Sequence, residues 1–378
     1  MDFPWLCIWL LPVFVLGSAV GSFINVVVAR IPTERSLLWP SSHCLSCFRP
    51  IRWFHNLPII GFLWLRGKCG NCQKPYSSRY MWVEIATGFL FVGLFTAEFL
   101  ADVRGVGWHK LFPYEMKFGL IPWKGWVVFI CLAICLSHLL AASLCDIQSL
   151  EIPLPITITG TLFGLVLAPF TAWPFPSLAF TMPQIASWEE LIRKSQIPVG
   201  IMPWPFWLPL PLGLEAGSWQ LGLIDGVLGM FAGALLCRVV RWVYSLCRGM
   251  EGMGVGDSDL MMMAGAFLGW QVVLVGFFLS VGPGIVVGIC QILFKGTQSL
   301  PFGPSLALGC VISLYSWPWI GPLVKPLFFE PIVMGILGLS SIVILGASGI
   351  AFRILGGPST DPSSGDPSSG DSSSSEAS

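Results

Sequence analysis

The sequence predicts an all-α, polytopic membrane bundle of about eight to nine transmembrane helices, carrying a small zinc-ribbon-like cytoplasmic domain. Three observations lead there. Of the 378 residues 54% are hydrophobic and only 11% charged, against roughly a quarter charged in soluble proteins. The apolar residues fall in blocks close to the ~20 needed to cross a bilayer as a helix. Four of the twelve cysteines form two CxxC pairs inside the one sizeable polar stretch. An ordinary soluble enzyme is thereby excluded. Lys plus Arg balances Asp plus Glu at 20 each, so the composition calls for no nucleic-acid partner, and the lipid bilayer is the expected one.

Residues 3 to 29 are one apolar run that lacks the basic leader and short core of a cleavable signal peptide. Residues 1–29 therefore read as the first transmembrane helix. No Lys or Arg precedes Arg30; then Arg30, Arg35, Arg49, Arg52, Arg66, Lys68, Lys74 and Arg79 follow against Glu34 and Glu84. The positive-inside rule places the N-terminus outside and a cysteine-rich domain, 30–82, in the cytoplasm. A membrane core over 83–321 comes next, with spans expected near 83–101, 126–145, 152–170, 221–240, 259–270, 271–293 and 305–321. An additional helix lies within 322–352. The pair between Asp257 and Lys295 is short, so two brief crossings should turn near Gly269, Trp270 and Gln271.

Residues 171 to 219 hold eight prolines and Trp173, Trp188, Trp204, Trp207 and Trp219, a composition suited to an external segment at the lipid interface. The tail, 353–378, ends in DPSSGDPSSGDSSSSEAS, which has nothing with which to build a core and is expected to be disordered.

The cysteine pairs are Cys44-Leu45-Ser46-Cys47 and Cys69-Gly70-Asn71-Cys72, separated by 21 residues. Two such knuckles hold a tetrahedral cation with four thiolates, the pattern of structural Zn²⁺. A reducing cytosol argues against disulfides, and a closed four-ligand site leaves no position for reactive water. Arg49, Arg52, Arg66 and Lys68 could offset the excess negative charge. His43 and His55 are rival ligands. The other cysteines, Cys131, Cys135 and Cys145 among them, read as small buried hydrophobes.

Ionisable groups at the edge of membrane spans are costly and default to functional hypotheses. Asp146 ends the apolar run from Leu132 to Cys145, and Asp257 lies in Gly254-Val255-Gly256-Asp257 before the run from Leu260 to Trp270. In the topology above both sit at cytoplasmic ends and could meet. Two carboxylates within hydrogen-bond reach share a proton, so that one acts as base toward water and the other as acid. That is the chemistry of aspartic peptide hydrolysis. The bland alternative is that both acids merely mark span ends or pair with cations such as Arg248. Asp225, Glu251 and Asp259 are rivals, and Asp259 is close enough to perturb Asp257.

In order along the chain stand Gly21-Ser22-Phe23-Ile24-Asn25-Val26, Arg30-Ile31-Pro32, CLSC with Pro50-Ile51-Arg52-Trp53, and Asn56-Leu57-Pro58. Leu65-Arg66-Gly67-Lys68-Cys69, Ser78-Arg79-Tyr80, Val83-Glu84, and Asp146 with Ile152-Pro153 follow. EGMGVGD from Glu251 to Asp257, Leu268-Gly269-Trp270 and Pro301-Phe302-Gly303-Pro304 complete the series. Together they make the chain resemble the bacterial type IV prepilin peptidases, of the GxGD aspartyl type, over most of its length. The resemblance implies an inner-membrane hydrolase with Asp146 and Asp257 as its catalytic pair. It implies cleavage of basic leaders after Gly from type IV prepilins or pseudopilins, in pilus assembly or type II secretion. It also implies a methyltransferase that N-methylates the new terminus with S-adenosylmethionine, an activity associated with the cysteine domain. Leu154 and Gln148 stand where many relatives carry acids, and Asp259 where Lys is common.

Two other readings remain at this point. One is a GxGD peptidase acting on other helices; the other is a proton-coupled transporter with a cytosolic zinc domain, in which the two aspartates carry protons. No internal repeat of the transporter kind is visible, and no glycine-rich fingerprint marks a nucleotide site.

Overall fold

An apolar run in lipid has no water to satisfy its peptide groups, so it closes its hydrogen bonds internally as a helix. The computed structural model describes residues 4–37, 39–44, 46–103, 107–171, 218–249, 253–295, 301–329 and 331–355. The interfacial Pro/Trp segment (172–217), Glu251 and the end of the tail lie outside the described residues. A 3₁₀ turn, Pro4–Trp9, leads into α1 (Leu10–Arg30); α2 (Ile60–Trp64) belongs to the polar domain. Then come α3 (Arg79–Phe95) with a π-helical extension Thr96–Leu100, the short α4 (Trp108–Leu111) and α5 (Pro113–Lys117), α6 (Trp123–Ser149) and α7 (Leu154–Thr171). The second half comprises α8 (Trp219–Arg248), α9 (Val255–Leu279), α10 (Val281–Lys295), α11 (Gly303–Phe329) and α12 (Pro331–Leu355).

The architecture is all-helical, with only two isolated β-bridges among the described residues. Among the described residues six segments are long and apolar enough to cross a membrane: Cys7–Thr33, Arg79–Leu100, Trp123–Ser149, Trp219–Cys247, Val255–Gln291 and Ile332–Ala351. Leu154–Phe170 is a shorter apolar helix.

The two short crossings expected after Asp257 are the arms of one hairpin. Gly269 breaks α9 with φ 79 and ψ 168, a conformation that glycine adopts without steric cost. Met261 Sδ, before the break, lies 3.8 Å from Cys310 Sγ. A methyl group placed on Gly276, after it, would come within 2.9 Å of Cys310 Cα. Both arms therefore flank the same level of α11. The first arm, residues 255–268, is about 21 Å long at ~1.5 Å per residue, short of the ~30 Å hydrocarbon core. The segment folds back on itself, and its two ends lie on one side of the bundle.

The first arm is the centre of the fold. Asp257, Ser258, Leu260, Met261 and all residues from Met263 to Gly269 are buried, as befits a helix enclosed on all sides. Glycines let its neighbours close in: a methyl on Gly229 of α8 would collide with the Gly265 carbonyl oxygen, and one on Gly265 with that of Gly229. The same small-residue logic joins α1 to α3, where a methyl on Gly17 would stand 2.7 Å from the Thr87 carbonyl oxygen.

The cysteine domain is built differently. Its two knuckles repeat one turn. Cys44 N donates to Arg49 O (3.0 Å) and Phe48 N to Cys44 O (2.9 Å); Cys69 N donates to Lys74 O (2.9 Å) and Gln73 N to Cys69 O (3.0 Å). Phe48 and Gln73 both have positive φ, 54 and 56, and bridges join His43 to Pro50 and Lys68 to Pro75. From Ile31 to Ser78 only Gly61 and Gly67 are buried among the described residues. Among the described residues this domain has no buried apolar side chain of its own.

Candidate active site and metal centre

The four cysteine sulfurs lie within 4.8 Å of one another, and Cys44 Sγ is 3.8 Å from Cys72 Sγ. A tetrahedron with zinc–sulfur bonds of ~2.3 Å has edges of about 3.8 Å, so the four-cysteine set fits a metal ion. Backbone N–H groups point at the sulfurs, from Ser46 to Cys44 (3.4 Å) and from Asn71 to Cys69 (3.5 Å). Asn71 Nδ2 reaches Cys47 Sγ at 3.6 Å, and Arg49 donates to Asn71 Oδ1 at 3.0 Å. Arg49, one of the cations expected to offset the thiolates, therefore acts through Asn71. The N–H groups of Cys47 and Ser46 lower the Cys44 thiol to about 6. At Cys72 the Lys74 N–H pulls down, but desolvation and the other three thiols outweigh it and push the group up to about 11. Such thiols ionise together only around a cation. His43 stays outside the cluster, its Nδ1 lying 2.9 Å from Ser41 O, and the His55 ring packs beside Gly70. Cys131, Cys135 and Cys145 are buried, as expected of small apolar residues.

Asp146 sits in the last turn of α6 and Asp257 in the first turn of α9; they are 6% and 8% exposed. Each accepts one backbone N–H. Gly303 donates to Asp146 Oδ2 at 2.8 Å, and Gly254 donates to Asp257 Oδ2 at 3.2 Å. Ile152, on the link between α6 and α7, packs against both loops. A methyl on Gly256 would be 3.0 Å from its Cβ, and one on Gly303 would be 3.1 Å from its Cδ1. Arg79, where the cysteine domain enters α3, is within Coulombic range of Cys145. Domain and carboxylates thus share one end of the bundle.

The rival acids separate. Asp225 lies against Gly269 at the hairpin turn, about 18 Å of helix from Asp257. Asp259 faces Arg238 at 3.6 Å, so the acid beside Asp257 has its countercharge on α8.

Two residues went unweighed in the sequence. Glu84 is buried on α3 and accepts the Ile59 N–H at 2.7 Å, pinning a residue held at φ 62. In the sequence it stood as one of two acids in a basic stretch and as part of the Val83-Glu84 motif, with no role assigned to it. Gly303 stood within the Pro301–Pro304 motif, but no spacing rule links it to Asp146.

Comparison with known proteins follows this geometry. Residues 15–98 match the bacterial peptidase A24 N-terminal domain and residues 192–289 the type IV leader peptidase family. A prepilin leader peptidase/N-methyltransferase of Klebsiella pneumoniae is 30% identical over 268 residues, 68% of this chain and 84% of the relative. The chain belongs to this family. Relatives of the same description from Myxococcus xanthus and Aeromonas hydrophila are each 29% identical, over 85% and 82% of this chain and 76% and 91% of their own lengths. The four cysteines fall within the first family match and Asp257 within the second, whereas Asp146 and Gly303 lie outside both. No solved structure matches the chain significantly. A multi-pass membrane enzyme of a bacterial family is the result, and the transporter reading has no support from it.

Proposed function

We propose that Asp146 and Asp257 are the catalytic pair of a membrane endopeptidase that removes the basic leader of type IV prepilins or pseudopilins after Gly, at the cytoplasmic face of the inner membrane. The supporting observation is that two buried acids, remote in the chain and each held by a glycine N–H, sit on segments that meet across Ile152 at the end of the bundle bearing the basic domain.

One carboxylate is ionised and takes a proton from a water molecule; the other is protonated and donates to the scissile carbonyl oxygen. The resulting tetrahedral diol collapses as the carboxyl that took the water proton passes it to the leaving amine and the other carboxylate takes a proton from the diol hydroxyl, so the pair again holds one shared proton. A substrate whose leader is cytosolic and whose next segment is an apolar helix presents its junction at this depth.

The cysteine domain holds Zn²⁺ through Cys44, Cys47, Cys69 and Cys72 in a structural role and serves the second activity, N-methylation of the new terminus. S-adenosylmethionine, when bound, supplies an electrophilic methyl group. The acceptor α-amine titrates near ~7.7–8.0, so a useful fraction is neutral at cellular pH.

The test is mass spectrometry of a pilin-like protein's mature N-terminus from cells with wild-type enzyme, Asp146→Asn or Asp257→Asn. Trimmed, methylated termini with wild type and unprocessed protein with either variant are expected. Normal processing by either variant refutes the assignment.

A further inference from the structure

We propose that Gly303 and Ile152 are positioning residues for the aspartate pair: Gly303 holds Asp146 from the start of α11, and Ile152 is the spacer that sets the Gly303 loop against the Gly256–Asp257 loop. The proposal rests on the catalytic reading of Asp146 and Asp257 given above.

Three observations carry it. Asp146 lies at the C-terminal end of α6, where the helix itself offers no free N–H and presents carbonyl oxygens. Its hydrogen bond comes instead from Gly303, the first residue of α11, at 2.8 Å and buried. The site at residue 303 admits no side chain. A Cβ there would lie 2.7 Å from Asp146 Oδ2, 3.3 Å from its Cγ and 3.1 Å from Ile152 Cδ1. Finally, Ile152 touches both glycine loops, its Cβ standing 3.0 Å from where a Gly256 Cβ would be. The carboxylates are thus attached to different helices, and one aliphatic side chain and one glycine stand where the ends bearing them meet. By contrast Asp257 accepts its N–H from Gly254 in its own loop, so its orientation is local. Asp146 is the member that depends on the tertiary contact.

The chemistry makes such a contact consequential. A water must reach both carboxylates at once, and misplacement of a reacting group by about 1 Å costs on the order of 100-fold in rate. Gly303→Ala keeps the backbone N–H but drives the carboxylate from its seat. Ile152→Ala keeps the seat but lets the two loops shift.

The experiment uses the full-length enzyme in nanodiscs. A synthetic prepilin peptide with a basic leader, Gly and a Phe-led apolar helix is used to measure kcat and KM for cleavage, and a pre-cut peptide to measure methylation. Gly303→Ala and Ile152→Ala are each expected to lower kcat on the order of 10- to 100-fold, leave KM unchanged and retain methylation. Gly282→Ala, at a glycine with nothing within 4 Å of an added Cβ, should match wild type. If Gly303→Ala fails to fold, Ile152→Ala decides alone. A folded variant of either residue with wild-type kcat, or one that raises KM at constant kcat, overturns the proposal. Asp146→Asn is run in parallel: if it still cleaves, the dyad reading itself fails, whereas an inactive Asp146→Asn beside a fully active Gly303→Ala refutes only the positioning role.

Discussion

Removing the metal should unfold the cysteine domain and leave the membrane bundle standing. Between Ile31 and Ser78 only two glycines are buried among the described residues, so hydrophobic burial contributes almost nothing to holding this segment together. Besides the short α2 and the Ile59–Glu84 bond, its order lies in two hydrogen-bonded knuckles whose sulfurs meet within 4.8 Å. Structural Zn²⁺ contributes roughly 10–16 kcal/mol in small zinc-finger peptides, far more than the ~1 kcal/mol net of each knuckle hydrogen bond. Cys72→Ser withdraws one ligand and its edge to Cys44 at 3.8 Å. Three assays follow on protein in nanodiscs: zinc per chain by mass spectrometry, amide exchange, and separate rates of cleavage and methylation. Wild type should hold one zinc per chain, with protected amides at Cys44, Phe48, Cys69 and Gln73, whose bonds close the knuckles. Cys72→Ser should lose zinc and that protection while exchange in α6 and α9 stays slow, and methylation should fall more than cleavage. Wild-type protein that is zinc-free yet protected at those amides would refute the reasoning.

Asp146→Asn and Asp257→Asn should each reduce the cleavage rate by at least ~10²–10⁴-fold with no change in thermal unfolding, measured by peptide cleavage and by circular dichroism. Glu84→Ala leaves the Ile59 N–H without its 2.7 Å acceptor and should destabilise the junction by about 1–3 kcal/mol, whereas Glu84→Gln keeps an acceptor; exchange at Ile59 distinguishes them. Gly229→Ala forces α8 from α9 at the Gly265 carbonyl and should cost about 1–3 kcal/mol or more, while Gly335→Ala, with nothing within 4 Å, should leave the melting point unchanged. Arg238→Ala removes a 3.6 Å pair whose Arg is 60% exposed and should change stability by less than about 1 kcal/mol.

Much of the site was legible in one dimension because it depends on local chemistry. The CxxC pairs declare a four-sulfur centre by spacing alone, and the sulfurs do converge. Asp146 and Asp257 stood out because a carboxylate at the edge of an apolar helix is expensive, and both proved buried at one end of the bundle. Gly269, flanked by apolar residues, marked where the chain turns. The grounds for preferring Asp146 and Asp257 over Asp225 and Asp259 were less local, and distance along α9 and the Arg238 contact supply them.

Hydropathy, charge placement and cysteine spacing were enough to determine an all-helical membrane protein with a four-cysteine appendage suited to a metal, because lipid and a four-sulfur set each constrain short stretches of chain directly. Only the tertiary structure decided that the segment after Asp257 folds back as a hairpin, that Glu84 pins the domain at Ile59, and that Gly303 holds Asp146. Those contacts join residues far apart in sequence through close approach of helices, and a close approach is a property of the packed bundle that no periodicity or motif encodes.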